Sequence, residues 1–213
     1  MYRNKGGGVF DDVTTKSNLG GVGQVGGPCT ALDYDRDGLL DLYIGYFGNY
    51  LKGSKPTLAR SNTNGDANVL FRNLGDFEFE KSSFSGAEDS GWTQAVGHTD
   101  INTDGWQDLI SGNDFGSNAY YLNNQDGSFR EVSEALNTDK PSYTMNIGIA
   151  DLNRDRRPDF YISNIVVMEK DEKYVNPSAA TPMALDPAVM ANMRVVEAND
   201  LFMSMPEGAE GYS

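Results

Sequence analysis

Three nine-residue stretches of this 213-residue chain share the pattern Asp-x-Asp/Asn-x-Asp-x-x-x-Asp. The first runs from Asp33 to Asp41, the second from Asp100 to Asp108, the third from Asp151 to Asp159. Together they place ten of the chain's 21 aspartates in 27 residues. Alternating oxygen side chains in a tight loop converge on one point. Hard cations with flexible geometry, Ca²⁺ above all, take such oxygens, six to eight of them at about 2.3–2.6 Å. The candidate ligands are the first, third, fifth and ninth side chains and the seventh carbonyl. In the first loop these are Asp33, Asp35, Asp37, Leu39 and Asp41. In the second they are Asp100, Asn102, Asp104, Trp106 and Asp108, and in the third Asp151, Asn153, Asp155, Arg157 and Asp159. Without a cation such clustered carboxylates repel. A single copy would read equally well as an acidic surface turn; three copies in register argue for metal. Gly38 and Gly105 stand where the loop turns sharply, a place where positive φ is cheap for glycine.

The loops are not EF-hands, which carry a bidentate Glu at the twelfth position and flanking helices. Here the twelfth residues are Ile44, Ser111 and Ile162. The flanks 40–44, 108–111 and 159–162 are short and rich in β-branched and aromatic residues, so each loop is expected inside a β-hairpin. A second motif recurs between the loops. Residues 70–77 (Leu70 to Phe77) resemble residues 121–129 (Tyr121 to Phe129), and Met1 to Phe10 makes a third copy. Each reads as an aromatic strand, an Asn/Asp/Gly turn and a strand opening on Phe, a hairpin signature. From Phe10, Phe77 and Phe129 to the next loop's first Asp the distances are 23, 23 and 22 residues. The repeating unit is therefore four short strands, the period of a propeller blade.

These residues resemble the FG-GAP/VCBS repeat of integrin-α-type β-propellers. The Asn-x-Leu/Tyr-Phe/Tyr-x-Asn and Gly-x-Phe elements, with Tyr143 to Asp151 and Phe160 to Ile165, look most like bacterial relatives of cartilage acidic protein, the ASPIC/UnbV-associated group. The resemblance implies an all-β fold, Ca²⁺ in the hairpin loops and a propeller of about seven blades. It names no single activity. The expected organisation is one partial propeller over 1–213, with half a blade in 1–20 and blades in 21–85, 86–138 and 139–213, the last holding an insert at 165–198. That is about three and a half four-stranded blades, so the chain reads as a piece of a longer protein.

Composition narrows the partners. Seventeen Lys+Arg against 31 Asp+Glu give a formal charge of −14. Nucleic-acid binding needs a basic footprint, and docking on anionic lipid needs the same. No apolar run approaches the roughly 20 residues of a membrane span. Hydrophobic content is 38% but aromatics reach 11%, which suits a divided core. Cys29 is the single cysteine, so an intrachain disulfide or a cysteine-based zinc site is excluded.

The third loop departs from the pattern. Arg156 replaces the expected glycine, and a non-glycine residue in left-handed geometry costs roughly 1–2 kcal/mol. With Arg154 and Arg157 it also lowers the local negative potential, so this site is expected to be weaker or vacant. The 165–198 insert carries Met168, Met183, Met190 and Met193 and a short helix is expected over 187–197; it reads as packing on a blade edge or as a partner surface. In the 46–67 insert, Tyr46, Phe47 and Tyr50 with Lys52 and Lys55 form either a ligand lip or a solvated loop. Asn62, Asn64 and Asp66 are a minor further cation candidate. Gly21 to Gly26 matches G-x-G-x-x-G, but Pro28 and a strand follow in place of a helix. Asp114-Phe115-Gly116 stands without the other kinase elements. His98 is the single histidine and reads as structural, leaving almost no material for a triad.

The sequence thus points to a calcium-binding, extracytoplasmic β-propeller (extracellular, periplasmic or cell-surface) acting as a scaffold or as a recognition module for protein or carbohydrate. Two other classes remain open. One is a structural subunit of a larger assembly docked through 46–67 and 165–198. The other is a calcium-dependent enzyme of polysaccharide-lyase type, the less favoured since the obvious carboxylates are committed to cations.

Overall fold

The computed structural model describes residues 1–20, 24–56, 62–165, 199–205 and 211–213. The G-x-G-x-x-G start, the 166–198 segment with its expected helix, and 57–61 lie outside the described residues. Among the described residues the chain is nearly all β. Strands β1 (Tyr2–Gly6) and β2 (Val9–Asp12) form a hairpin. A single helical turn, α1 (Thr14–Ser17), follows.

Each acidic loop then joins two antiparallel strands. The first lies between β3 (Gly26–Leu32) and β4 (Asp41–Tyr46), which are followed by β5 (Val69–Asn73) and β6 (Phe79–Lys81). The second lies between β7 (Thr93–Thr99) and β8 (Asp108–Asn113), followed by β9 (Ala119–Asn123) and β10 (Phe129–Glu131). The third lies between β11 (Thr144–Ala150) and β12 (Asp159–Asn164), with β13 (Asp200–Phe202) beyond. The sheets run β3-β4-β5-β6, β7-β8-β9-β10 and β11-β12-β13, all in sequence order. Residues 211–213 extend the third sheet: Met203 and Ser213 exchange backbone hydrogen bonds of 3.0 Å. Successive antiparallel sheets whose strands follow one another in sequence order are the architecture of a partial β-propeller.

The sheets stack face to face, with β3 against β7 and β7 against β11. The core is divided accordingly. Leu32, Tyr34, Tyr43, Leu70, Leu109, Tyr121 and Phe129 fill the space between the first two full sheets. Ile101, Ile110, Tyr120, Leu122, Phe160, Ile162 and Tyr212 fill the next. Tyr46, Val69, Phe71 and Phe79 form a third cluster on the far side of the first full sheet, packed by Leu19. The second residue of the first two acidic loops, Tyr34 and Ile101, is buried in these layers, so those loops are anchored by an apolar plug.

The register corrects one sequence reading. Phe79, not Phe77, opens β6: Asn73 pairs with Phe79 as Asn123 pairs with Phe129 and Asn4 with Phe10. Phe77 occupies the turn at φ 63°, where the sister turn has Gly127 at φ 90°. The distances from the strand-opening Phe to the next loop are thus 23, 21 and 22 residues. The Gly-x-Phe match at 75–77 was two residues out of register; the constant step of six from Asn to Phe is the true repeat.

Close sheet stacking constrains the second strand. A Cβ on Gly112 would lie 2.5 Å from Thr144 Cγ2 of the next sheet, and one on Gly45 would lie 2.8 Å from Thr93 Cγ2. Gly148, on an inner strand, meets nothing nearer than 3.7 Å. Overpacking of this kind costs typically about 1–3 kcal/mol. Gly112→Ala should therefore lower the midpoint of denaturant unfolding, while Gly148→Ala should leave it unchanged or raise it. Equal midpoints for the two variants would contradict the stacking described.

Candidate metal loops and the carboxylates beneath them

The three acidic loops share two backbone hydrogen bonds atom for atom. The first Asp caps the turn: Gly38 N donates to Asp33 Oδ2 at 3.1 Å, Gly105 N to Asp100 Oδ2 at 2.7 Å, and Arg156 N to Asp151 Oδ2 at 2.9 Å. The fifth Asp accepts from the seventh amide: Leu39 N to Asp37 Oδ1 at 2.9 Å, and Trp106 N to Asp104 Oδ1 and Arg157 N to Asp155 Oδ1, both at 2.8 Å. The sixth residue is left-handed in all three, at φ 86°, 85° and 70°, so Arg156 does adopt the conformation glycine takes elsewhere. The fourth residue is left-handed too, in Arg36, Thr103 and Arg154, and no sequence signal marked it.

The ninth Asp behaves differently from the other candidates. Asp41, Asp108 and Asp159 are buried, and both oxygens of each accept a backbone N–H. Oδ2 takes the amide of the second loop residue: Tyr34 at 3.2 Å, and Ile101 and Leu152 at 2.7 Å. Oδ1 takes an amide at or just beyond the end of the third strand: Asn73 and Asn123 at 2.8 Å, Ser204 at 2.7 Å. One carboxylate thus staples loop, second strand and third strand together. Where the third strand begins, a second device recurs. Asn68, Asn118 and Asn199 each accept at Oδ1, at 2.8 Å, the amide that ends the second strand: Tyr46, Asn113 and Asn164. Asn68 and Asn118 also bond across to Thr93 and Thr144 of the following sheet.

Among the described residues one acidic group converges. Asp33, Asp35 and Asp37 present carboxylate oxygens within 4.8 Å of one another, and Asp41 is not part of the group. Asp33 Oδ1 is buried with no hydrogen-bond partner. An orphaned buried anion oxygen facing two further carboxylates fits a hard cation. The other loops have Asn102 and Asn153 at the third position, each donating Nδ2 to the fifth Asp (Asp104, Asp155) at 3.0 Å. The first loop's extra charge has its own counterpart. Arg72 on β5 sits 2.8 Å from Asp35 Oδ2 and 3.2 Å from Asp37 Oδ2. Its equivalents in the neighbouring sheets are Leu122 and Met203, so Asp35 and Arg72 occur together in one repeat and in neither of the others. Sequence reading missed Arg72 because 37 residues separate it from Asp35.

Several of the remaining candidates are occupied by packing, while Tyr50, Lys52 and Lys55 stay exposed. His98 Nδ1 lies 2.6 Å from Thr30 Oγ1, linking the inner strands of adjacent sheets, and burial holds its pKa below the usual value. Tyr46 is buried in the core. Phe47 joins Trp92 at 5.1 Å and Phe115 at 6.0 Å in an aromatic ladder. Asn62 Nδ2 donates to the Phe115 carbonyl and Asn64 Nδ2 to the Lys55 carbonyl, while Asp66 Oδ2, the third of these candidates, is buried without a hydrogen-bond partner. Pro28 lies within β3, which excludes a helix after the G-x-G-x-x-G match. No helix among the described residues is long and apolar enough to cross a membrane.

Residues 100–162 match the family model described as an FG-GAP-like repeat. The matched span opens on the first aspartate of the second loop and closes just past the third. No curated protein matches the sequence. Repeat match and sheets together define a β-propeller-type class of protein, the kind that serves as scaffold or recognition module.

Burial pushes the Asp41 and Asp108 carboxyls up to about 6, aided by neighbouring loop aspartates and opposed by the two amides each accepts. The ordinary value is about 3.9, so the folded state holds more protons than the unfolded one between about pH 4 and 6. Stability in EGTA should therefore fall as pH rises through this window. Asp108→Asn should be less stable but show a shallower slope between pH 4 and 7 in urea unfolding. A slope identical to that of the parent would rule out the buried carboxylate as its source.

Proposed function

We propose that the chain is a calcium-stabilised segment of an extracytoplasmic β-propeller that serves as a protein-recognition or scaffold module. The observation that carries this reading is the convergence of Asp33, Asp35 and Asp37 around the orphaned Asp33 Oδ1. The Leu39 carbonyl is the natural further ligand in that loop. Asp100, Asn102, Asp104 and the Trp106 carbonyl would serve the second loop. Asp151, Asn153, Asp155 and the Arg157 carbonyl would serve the third, where three arginines oppose the ion. Asp41, Asp108 and Asp159 hold the loops from below, each oxygen keeping a second lone pair. Bound Ca²⁺ would supply charge neutralisation and cross-link the loop. The finer likeness to the cartilage-acidic-protein group rests on the 143–165 segment and supports a secreted setting. Extracellular modules bind Ca²⁺ at roughly 10⁻⁴–10⁻³ M, which suits millimolar calcium outside the cytosol.

A ligand at a hundredfold excess over its Kd stabilises by about 2.7 kcal/mol per site. Millimolar Ca²⁺ should raise the melting temperature and EGTA should lower it. Asp37→Ala or Asp104→Ala should remove more of that calcium-dependent increment than Asp155→Ala. A melting temperature indifferent to EGTA would refute the stabilising role, and three equal increments would refute the weaker third site.

A further inference from the structure

The spaces between successive acidic loops lie between equivalent residues yet are filled differently. Between the first and second loops, Arg36 fills the gap. Its guanidinium carbon lies 4.2 Å from the centre of the Trp106 ring, and Nη2 donates to the Gly105 carbonyl. Between the second and third loops the residue equivalent to Arg36 is Thr103, too short to cross. A cleft of about 420 Å³ remains, lined among others by Thr99, Thr103, Arg156 and Arg157. Arg156 and Arg157 stand where the previous pair has Gly105 and Trp106. A cation fills the first gap; two cations line the second.

Asp100 and Asp151 also line this cleft, but their carboxylates are turned into their own loops. Asp100 accepts the amides of Asp104 and Gly105, and Asp151 those of Asp155 and Arg156. Arg157 Nη1 donates to the Met205 carbonyl at 2.8 Å. Among the described residues neither arginine forms an ion pair within 4.0 Å, whereas Arg72, Lys5, Lys16 and Lys140 all do. Among the described residues Arg3, Arg36, Lys81, Arg130 and Arg154 also lack an ion pair, so what sets Arg156 and Arg157 apart is that both line one cleft. Arg156 moreover holds a backbone conformation that glycine supplies in both sister loops.

We propose that the cleft between the second and third acidic loops binds a single carboxylate side chain of an acidic–basic peptide segment, through Arg156 and Arg157. The net charge selects this class: a polyanionic chain is repelled by the molecule as a whole. One acidic residue flanked by basic ones meets the arginines at the centre and the aspartate-rich loops at the rim. The two arginines need no bound metal to meet a carboxylate, so the proposal stands apart from the calcium reading and is tested in EGTA.

A fluorescein-labelled peptide with one glutamate between two lysines is titrated with the 213-residue chain and followed by anisotropy. The glutamine version should bind about tenfold more weakly, the scale of a lost charge-assisted hydrogen bond. Arg156→Gly, which restores the residue of the sister loops, should weaken binding by about the same factor while its melting temperature stays at or above that of the parent. Thr103→Arg, which fills the gap as Arg36 fills its own, should abolish binding. An oligogalacturonate at equal carboxylate concentration should compete poorly. Equal affinity for the glutamine peptide, unchanged binding by Arg156→Gly, or preference for the oligogalacturonate would overturn the proposal, the last in favour of a glycan.

Discussion

A buried carboxylate beneath each acidic loop is the interaction on which the repeat depends. Asp41, Asp108 and Asp159 each accept one amide from the loop and one from the third strand or the turn just after it. Hydrogen bonds to an ionised acceptor are the stronger kind. Removing the acceptor would strand two buried amides and detach the loop from its sheet. The same bond carries the second loop residue inward, so Tyr34 and Ile101 become plugs between sheets. Loop geometry, blade register and inter-sheet packing thus share one group.

That sharing changes what the acidity means. Ten loop aspartates divide into three with both oxygens committed to backbone and seven at the first, third and fifth positions. Only the seven are left with oxygens that the proposed cation could take. Their distribution is uneven: three in the first loop, offset by Arg72, two in the second, and two in the third among Arg154, Arg156 and Arg157. The proposed ordering of the three sites therefore rests on side chains outside the shared motif as much as on the motif.

Most of the fold was legible because strand alternation and turn chemistry are local. The loop flanks, the hairpins and the four-strand unit all follow from residues within a few positions of one another. Phe77 was misplaced since Gly75-Asp76-Phe77 copies the Gly-x-Phe of its sister turn, and nothing local says that a phenylalanine will stand in a left-handed turn position. The Asn-to-Phe step was the better guide because it is fixed by cross-strand pairing. The site was legible in its ligand types and illegible in its long-range partners. Arg72, Ser204 and Arg36 reach their loops from other strands and loops, and only the fold reveals the approach.

Internal repeats give each position a control within the same chain. Where three copies agree, as at the ninth Asp and the Asn before the third strand, the residue serves the architecture common to all blades. Where one copy departs, the departure needs a cause local to that copy. Asp35 and Arg72 depart together and answer one another. Arg156 and Arg157 depart together and find no carboxylate partner among the described residues. Arg157 is held to its own blade through the Met205 carbonyl, whereas Arg156 keeps a left-handed turn that glycine would hold with less strain. The carboxylate ligand proposed above would give that departure a cause.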